Sequence, residues 1–282
     1  SLYDKQAERE ILKAGETGNA LLAFEDRPKE YDAWNIDPYY VEKCYPVQKV
    51  TEVSCTENGS VRTVIHVVKE FCHSVITQDI IFDEASARID FKTHIDWKES
   101  QILLKAAFPI DVMASKATYE IQYGNVERPT HANTSWEQAK FEVCAHKWAD
   151  IAEDGYGVSL LNDCKYGYDV KGTTMRLTLL KSGIFPNPVA DREEHDFIYS
   201  VYPHQGGFRE GRVIREAYLL NCPMYALEGA VLPKEQQKSF FAVSAENVIL
   251  ETVKPAEDGD NLILRFYESY GRRTKAELML PE

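Results

Sequence analysis

A long series of short apolar segments most constrains what this chain can fold into. The segments are rich in Val, Ile, Thr, Tyr and Phe, and clusters of Gly, Pro, Asn and Asp separate them, as is typical of β-strands and their turns. The clearest are VRTVIHVVKEF, SVITQDIIF, ARIDFKTHIDW, ILLKAAF, TYEIQY, FEVCAHKWADI, GVSLL, TMRLTLL, FIYSVY, NVILETVK and NLILRFYE. Because helical periods do not alternate with them, we predict an all-β chain built mainly of a large antiparallel β-sandwich.

Two segments have helical periodicity instead, YDKQAEREILKAG (3–15) and REGRVIREAYLLN (209–221). Gly15 would follow the first helix as its C′ residue. Near the C-terminus, residues 247–269 predict a β-hairpin around Asp258-Gly259, after the linker EGAVLPKEQQKS. We therefore predict a large β-sandwich domain over residues 1–235 and a small C-terminal β domain over residues 236–282.

The net charge and the cysteines of the chain argue against nucleic acid and membranes as partners and against an oxidising compartment. A net charge of −13 argues against nucleic acid and anionic membranes, because binding to a phosphate backbone needs a surplus of Lys and Arg. No apolar run approaches the roughly 20 residues that span a bilayer. The six cysteines occur singly, which favours a reducing compartment, so we expect a cytoplasmic location. Since the chain begins at Ser1, we expect it to be a fragment of a longer one.

The pair His94 and Asp96 has the spacing of two metal ligands on one strand face. The same face carries Arg88 and Lys92, whose charges oppose a bound cation, and no third ligand lies nearby in the sequence. We therefore interpret the pair as part of a polar, solvated strand face, and we predict no metal site.

The stretch FEDRPKEYDAWNIDPYY (24–40) combines carboxylates and aromatic rings as sugar-binding surfaces do. Asp26, Asp32 and Asp37 can accept hydrogen bonds from hydroxyl groups, and Trp34 can cover the apolar face of a pyranose ring. The alternative is a loop in which the aspartates cap turns and Trp34 fills the core. The sequence leaves both interpretations open.

A second group of candidate binding residues follows the apolar run GVSLL. In NDCKYGYD, the residues Asp163, Lys165 and Tyr166 are expected in a turn at a strand end, where Lys165 is alternatively a solvated turn residue. His195 and His204 flank another strand. His204 could donate a hydrogen bond to a sugar hydroxyl, but its place between Pro203 and Gly206-Gly207 also fits a structural role where a strand ends.

Four segments in order resemble the C-terminal β region of glycoside hydrolase family 38 α-mannosidases of the cytosolic and bacterial type. They are AFEDRPKEYDAWNID, DWKESQILLKAAFPID, LLNDCKYGYDVKGTTMRLTLLKS and YSVYPHQGGF. The resemblance implies a supersandwich similar to galactose mutarotase, followed by a small β-sheet domain. It also implies that Lys165 faces the sugar site, because members often place a basic residue in that turn.

The resemblance further implies a zinc-dependent, retaining parent enzyme whose zinc ligands, nucleophile and general acid lie upstream of this region. We therefore expect no catalytic residue and no zinc in these 282 residues. The expected partners are the enzyme's own catalytic domain and, through the whole enzyme, an α-mannoside, with self-association left open.

Two alternatives to this function remain. One is a free-standing sugar-binding or sugar-epimerising β-sandwich, with His195 or His204 as proton donor and a carboxylate as base. The other is a structural scaffold that contacts no sugar. An upstream reading frame that carries an H-x-D motif would favour the mannosidase.

Overall fold

The computed structural model describes residues 1–228 and 239–280. Two α-helices and a 3-10 helix occur in these ranges: α1 (Ser135–Gln138), α2 (Val213–Asn221) and Pro38–Glu42. The strands are β1 (Tyr3–Asp4), β2 (Arg9–Glu10), β3 (Ala20–Glu25), β4 (Cys44–Pro46), β5 (Lys49–Asn58), β6 (Arg62–Phe71), β7 (Ser74–Asp83), β8 (Ile89–Asp96), β9 (Ile102–Pro109), β10 (Lys116–Ile121), β11 (Gly124–Pro129), β12 (Val143–Cys144), β13 (Trp148–Glu153), β14 (Tyr156–Asn162), β15 (Gly167–Lys171), β16 (Thr174–Ser182), β17 (Glu194–Gln205), β18 (Ala242–Val243), β19 (Val248–Pro255), β20 (Leu262–Glu268) and β21 (Leu278–Met279).

Two antiparallel sheets make up most of the described chain. The larger has nine strands in the order β11-β10-β13-β14-β17-β8-β7-β6-β5, and the smaller has six in the order β12-β15-β16-β9-β3-β4. Aromatic rings from both sheets meet in one core. The ring centroid of Phe108 on β9 lies 5.6 Å from that of Phe91 on β8 and 6.4 Å from that of Tyr199 on β17. The predicted all-β architecture of antiparallel sheets is therefore confirmed.

The strand β8 illustrates why the sequence folds in this way. Its residues alternate between buried and more exposed positions, so that Ile89, Phe91 and Ile95 enter the core while His94 and Asp96 do not. This is the alternation predicted from the sequence, and it follows from the two-residue period of a strand.

The C-terminal residues form a separate pair of strands that packs beside the large sheet. β19 pairs with β20 in an antiparallel hairpin, as predicted. Tyr270, which follows β20, packs at a ring distance of 6.2 Å against Phe208, in a cluster that includes Val213 and Ile214 of α2. α2 lies within the second predicted helix, which confirms it.

The predicted helix over residues 3–15 is wrong. The segment folds back as the short pair β1–β2, and Asp4 Oδ1 accepts hydrogen bonds from the backbone N–H groups of Gln6 and Ala7. A carboxylate that binds the backbone two and three residues onward stabilises a turn in place of a helix. The hairpin also brings Ile11 and Leu12 into the core, which compensates for the lost helical hydrogen bonds.

The predicted domain boundary near residue 235, with its linker, lies largely outside the described residues. The division into domains 1–235 and 236–282 therefore stays a prediction. Across the described ranges, none of the helices has the length and apolar character needed to cross a lipid bilayer.

Candidate functional site

Asp26 and Asp32 meet at the side chain of Lys181. Asp26 follows β3 and is only 1% exposed, and its Oδ2 lies 3.0 Å from Lys181 Nζ. Asp32 Oδ1 lies 3.6 Å from the same ammonium, and its Oδ2 accepts hydrogen bonds from the N–H groups of Ile184 (2.5 Å) and Phe185 (3.2 Å). Burial raises the pKa of Asp26, and Lys181 offsets part of that rise. The two carboxylates thus hold the segment after β3 against the end of β16.

Trp34 and Asp37 lie on the outer part of the same segment. The Trp34 side chain is 71% exposed, so it does not fill the core. Asp37 Oδ2 accepts hydrogen bonds from the Tyr39 hydroxyl (2.6 Å) and from the N–H of Lys29 (2.8 Å). These bonds, the Tyr39 hydroxyl first, lower the pKa of Asp37. This loop therefore presents an open indole ring and, three residues later in the chain, an ionised carboxylate.

The turn after β14 carries Asp163, Lys165 and Tyr166. The N–H of Lys165 donates a hydrogen bond to Asn162 Oδ1 (2.6 Å), which fixes the turn. The Lys165 ammonium lies 4.3 Å from the centroid of the Phe197 ring, and Tyr166 is exposed. Lys165 is therefore a half-buried cation packed on an aromatic face, and it differs from a freely solvated turn lysine.

The strand registers place these two groups at the same end of the sandwich, which we call the Trp97 end. There β8 ends, β17 begins with Glu194 opposite Asp96, and Trp97 Nε1 donates a hydrogen bond to Ser182 Oγ of the smaller sheet (3.1 Å). Lys181 adjoins Ser182 at the end of β16, and Phe197 lies near the start of β17. The sequence did not indicate that residues 26–37 and 163–166 share one end.

His204 lies at the opposite end of β17. Seven residues of extended chain, about 23 Å, separate it from Phe197. The ring is buried, with Nε2 2.8 Å from Asp150 Oδ1 and 3.2 Å from Ser159 Oγ. His204 therefore belongs to a polar network inside the large sheet, and the structure does not bring it together with the other predicted site residues.

The remaining histidine candidates do not form the metal pair suggested by sequence spacing. His94 Nδ1 lies 3.0 Å from Asp196 Oδ1, and Asp96 forms an ion pair with Lys98. His195 Nε2 is 2.8 Å from the backbone oxygen of Asp191. Over the described ranges, one trio has ligand atoms within 4.8 Å of one another, Asp191, Glu193 and His195, in a mostly exposed loop at the Trp97 end.

A buried charge network was missed by the sequence analysis. Lys105 of β9 is fully buried and forms ion pairs with Glu142 and Asp169, and Arg176 Nε donates to Asp169 Oδ1 (2.7 Å). A buried ammonium requires such partners, because desolvation of an unpaired charge is costly. The signal was a lysine inside the otherwise apolar run ILLKAAF, which indicates a buried carboxylate elsewhere in the chain.

The protein is a large antiparallel β-sandwich that exposes aromatic and acidic side chains at one end. The chain belongs to the glycosyl hydrolases of family 38. The model of the "Glycosyl hydrolases family 38 C-terminal domain" matches residues 1–189, and that of the "Glycosyl hydrolases family 38 C-terminal beta sandwich domain" matches residues 247–282. The resemblance to family 38 that the sequence indicated is therefore confirmed.

Among its relatives, Alpha-mannosidase G of Dictyostelium discoideum is 40% identical over 97% of this chain and 26% of its own length. Alpha-mannosidase 2C1 of Homo sapiens is 40% identical over 96% of this chain and 27% of its own length. The crystal structure of an alpha-mannosidase from Enterococcus faecalis V583 has the same fold, with a TM-score of 0.76 at 16% identity over 99% of this chain and 36% of that one. The chain thus spans about a quarter of the length of the curated relatives it matches.

Proposed function

We propose that this chain is the non-catalytic C-terminal β portion of a zinc-dependent, retaining α-mannosidase. In the whole enzyme it supports the catalytic domain and lines part of the substrate cleft with its Trp97 end. The family membership and the names of the relatives support the reaction class. The observation that carries the proposal is the loop after β3, on which the Trp34 ring is 71% exposed and the ionised Asp37 carboxylate accepts a hydrogen bond from the Tyr39 hydroxyl.

The carboxylates of this end support a binding role in place of a catalytic one. Retaining hydrolysis needs one carboxylate that attacks the anomeric carbon and one carboxylic acid that protonates the leaving-group oxygen. Asp26 is almost fully buried and Asp32 is committed to Lys181 and two backbone N–H groups. In this proposal Asp26 and Asp32 position the loop, while Trp34 and Asp37 contact the sugar.

Asp163, Lys165 and Tyr166 supply the second part of the proposed surface. They lie at the same end of the sandwich, and Lys165 carries a charge that Phe197 orients. A cation that donates to a sugar hydroxyl gives a stronger hydrogen bond than a neutral donor does. His204 acts in this proposal only through the packing of the large sheet, because it is buried at the other end.

Zinc belongs in this proposal to the catalytic domain. The pair His94 and Asp96 does not fit a zinc centre, since Asp96 forms an ion pair with Lys98 and no third ligand completes the pair among the described residues. The cytoplasmic location is likewise a proposal, supported by six cysteines without a disulfide among the described residues.

The test compares two exposed tryptophans in the full-length protein. Trp34→Ala should lower kcat/KM for an aryl α-mannoside by roughly threefold to tenfold, because an aromatic contact to the sugar is lost. Trp136→Ala is the matched control: Trp136 is 80% exposed on α1, and its loss should leave kcat/KM unchanged. Equal effects of the two variants, or a full-length protein without α-mannosidase activity, would contradict the proposal.

A further inference from the structure

A cavity of about 340 Å³ lies between β11, β15 and the segment that contains α1, and Pro38, which follows Asp37, also lines it. Thr130 anchors the start of this segment: its carbonyl oxygen accepts a hydrogen bond from Gly172 N–H (2.8 Å), and its Oγ1 donates one to Ala114 O (3.0 Å). The titratable lining residues are Arg128, His131, Glu137, Lys140, Asp169 and Lys171. Tyr119 and Phe141 contribute aromatic walls.

The two carboxylates of this cavity already have their partners. Glu137 Oε2 accepts hydrogen bonds from the N–H groups of Asn133 (2.7 Å) and Thr134 (2.9 Å), as the second half of the capping box of α1. Asp169 is bound on Oδ1 by Arg176 and on Oδ2 by Lys105. The charge of Asp169 is therefore balanced within the protein, and Glu137, 3.4 Å from His131 Nδ1, leaves one negative charge in the lining against three cations.

The three cations of the cavity, in contrast, lack carboxylate partners among the described residues. Arg128, Lys140 and Lys171 have no carboxylate within 4.0 Å among the residues that the structure describes. Arg128 stacks on Tyr119, with its guanidinium carbon 4.6 Å from the ring centroid, and its buried Nη1 has no hydrogen-bond acceptor within the described ranges. A buried guanidinium N–H without an acceptor is costly, so the cavity has a surplus of positive charge and of donors.

We propose that this cavity binds a small organic oxyanion, a phosphate monoester or a carboxylate of about monosaccharide size. Arg128 would donate to the anionic group, Lys171 and Lys140 would balance its charge at the rim, and Tyr119 and Phe141 would contact its carbon skeleton. The cavity volume lies at the lower end of the range of small-molecule sites.

Titration calorimetry on the full-length protein tests this site with inorganic phosphate, a hexose 6-phosphate and a hexuronate as probes. We expect one site per chain whose affinity falls with ionic strength. Preference for the hexose phosphate over the hexuronate would assign the anion as a phosphate, and the reverse as a carboxylate. Arg128→Gln should weaken binding roughly tenfold to a hundredfold, because one charged hydrogen bond is lost.

The controls separate a binding defect from a folding defect. Lys171→Gln removes an exposed cation of the rim and should weaken binding severalfold at an unchanged melting temperature. Arg62→Gln is the matched control, since Arg62 pairs with Glu57 on a distant edge hairpin and should bind as the wild type does. Absence of binding for all three probes, or wild-type affinity in both Arg128→Gln and Lys171→Gln, would overturn the proposal.

Discussion

Lys165 is the residue through which the turn after β14 is proposed to bind the sugar substrate. Its ammonium packs on Phe197 and has no carboxylate within 4.0 Å among the described residues. In the full-length protein, Lys165→Ala should lower kcat/KM for an aryl α-mannoside roughly tenfold to a hundredfold if the ammonium donates to substrate. The melting temperature should fall by only about 2 °C, which corresponds to the loss of one half-buried cation–π contact.

Steady-state kinetics and a melting curve for the same preparations check this prediction. Lys116→Ala is the control, since Lys116 is an exposed lysine that pairs with Glu127. Unchanged kinetics in Lys165→Ala would make Lys165 a structural turn residue.

Asp26 should make stability depend on pH in a defined direction. Burial raises the pKa of Asp26 above its ordinary value of 3.8, and Lys181 offsets only part of this rise. The folded state therefore binds the proton more tightly than the unfolded state does, so this contribution to stability is present below pH 3.8 and is lost as the pH rises through the folded pKa.

Asp26→Asn removes that titration. The free energy of unfolding of the variant relative to the wild type should therefore increase as the pH rises from about 4 to 7. Urea unfolding at several pH values measures this difference, with Asp258→Asn in the exposed β19–β20 turn as the control. A difference that stays constant with pH would show that Lys181 compensates for burial completely.

At the scale of elements, the contact between β14 and β17 depends on two glycines that accommodate His204. A Cβ at Gly157 would overlap Cε1 of His204 and approach the Cβ of Ala152 to 2.9 Å, and a Cβ at Gly211 would overlap the same ring. The histidine ring therefore occupies space that only glycine leaves free.

Gly157→Ala should lower the free energy of unfolding by about 1 to 3 kcal/mol, because the ring must leave its bonds to Asp150 and Ser159. Gly124→Ala is the matched control, since a Cβ there has no neighbour within 4 Å. Denaturant unfolding of both variants decides the matter, and equal stability of the two would contradict the steric argument.

At the scale of the whole molecule, an aromatic cluster helps to join the C-terminal hairpin and α2 to the large sheet, beside the contacts of Tyr267 with Tyr123 and of Ser269 with Asn125. Phe208 stacks on Trp148 of β13 at 5.2 Å and contacts Tyr270 edge-on, and Arg209 donates two hydrogen bonds to the Tyr270 carbonyl oxygen. These contacts link the C-terminal residues to the sandwich. The sequence prediction of a small C-terminal domain did not include this packing.

Phe208→Ala should lower the free energy of unfolding by about 3 to 5 kcal/mol, because a large buried ring is removed. The double variant Phe208→Ala with Tyr270→Ala should lose less free energy of unfolding than the two single variants do in sum, since the two rings share one contact. The exposed Phe185→Ala serves as the control. Full additivity in denaturant unfolding would contradict an energetic coupling between the Phe208 and Tyr270 rings.

The sequence by itself determined the strands, the antiparallel class, α2 and the β19–β20 hairpin. These elements depend on local rules: alternation with period two in β8, helical period in α2, and turn residues between β19 and β20. The same rules failed for residues 3–15, where Asp4 stabilises a turn. They also failed for FEVCAHKWADI, where only Val143–Cys144 and Trp148–Glu153 are strands.

Only the tertiary structure decided which polar residues are neighbours. Asp26 and Lys181 are distant in sequence and meet because β3 and β16 both pair with β9. Trp34 is exposed and His204 is buried, although each occurred in the sequence among similar aromatic and polar residues. Strand order and register are non-local properties, so the positions that share one end of the sandwich follow from sheet pairing and cannot be read from spacing along the chain.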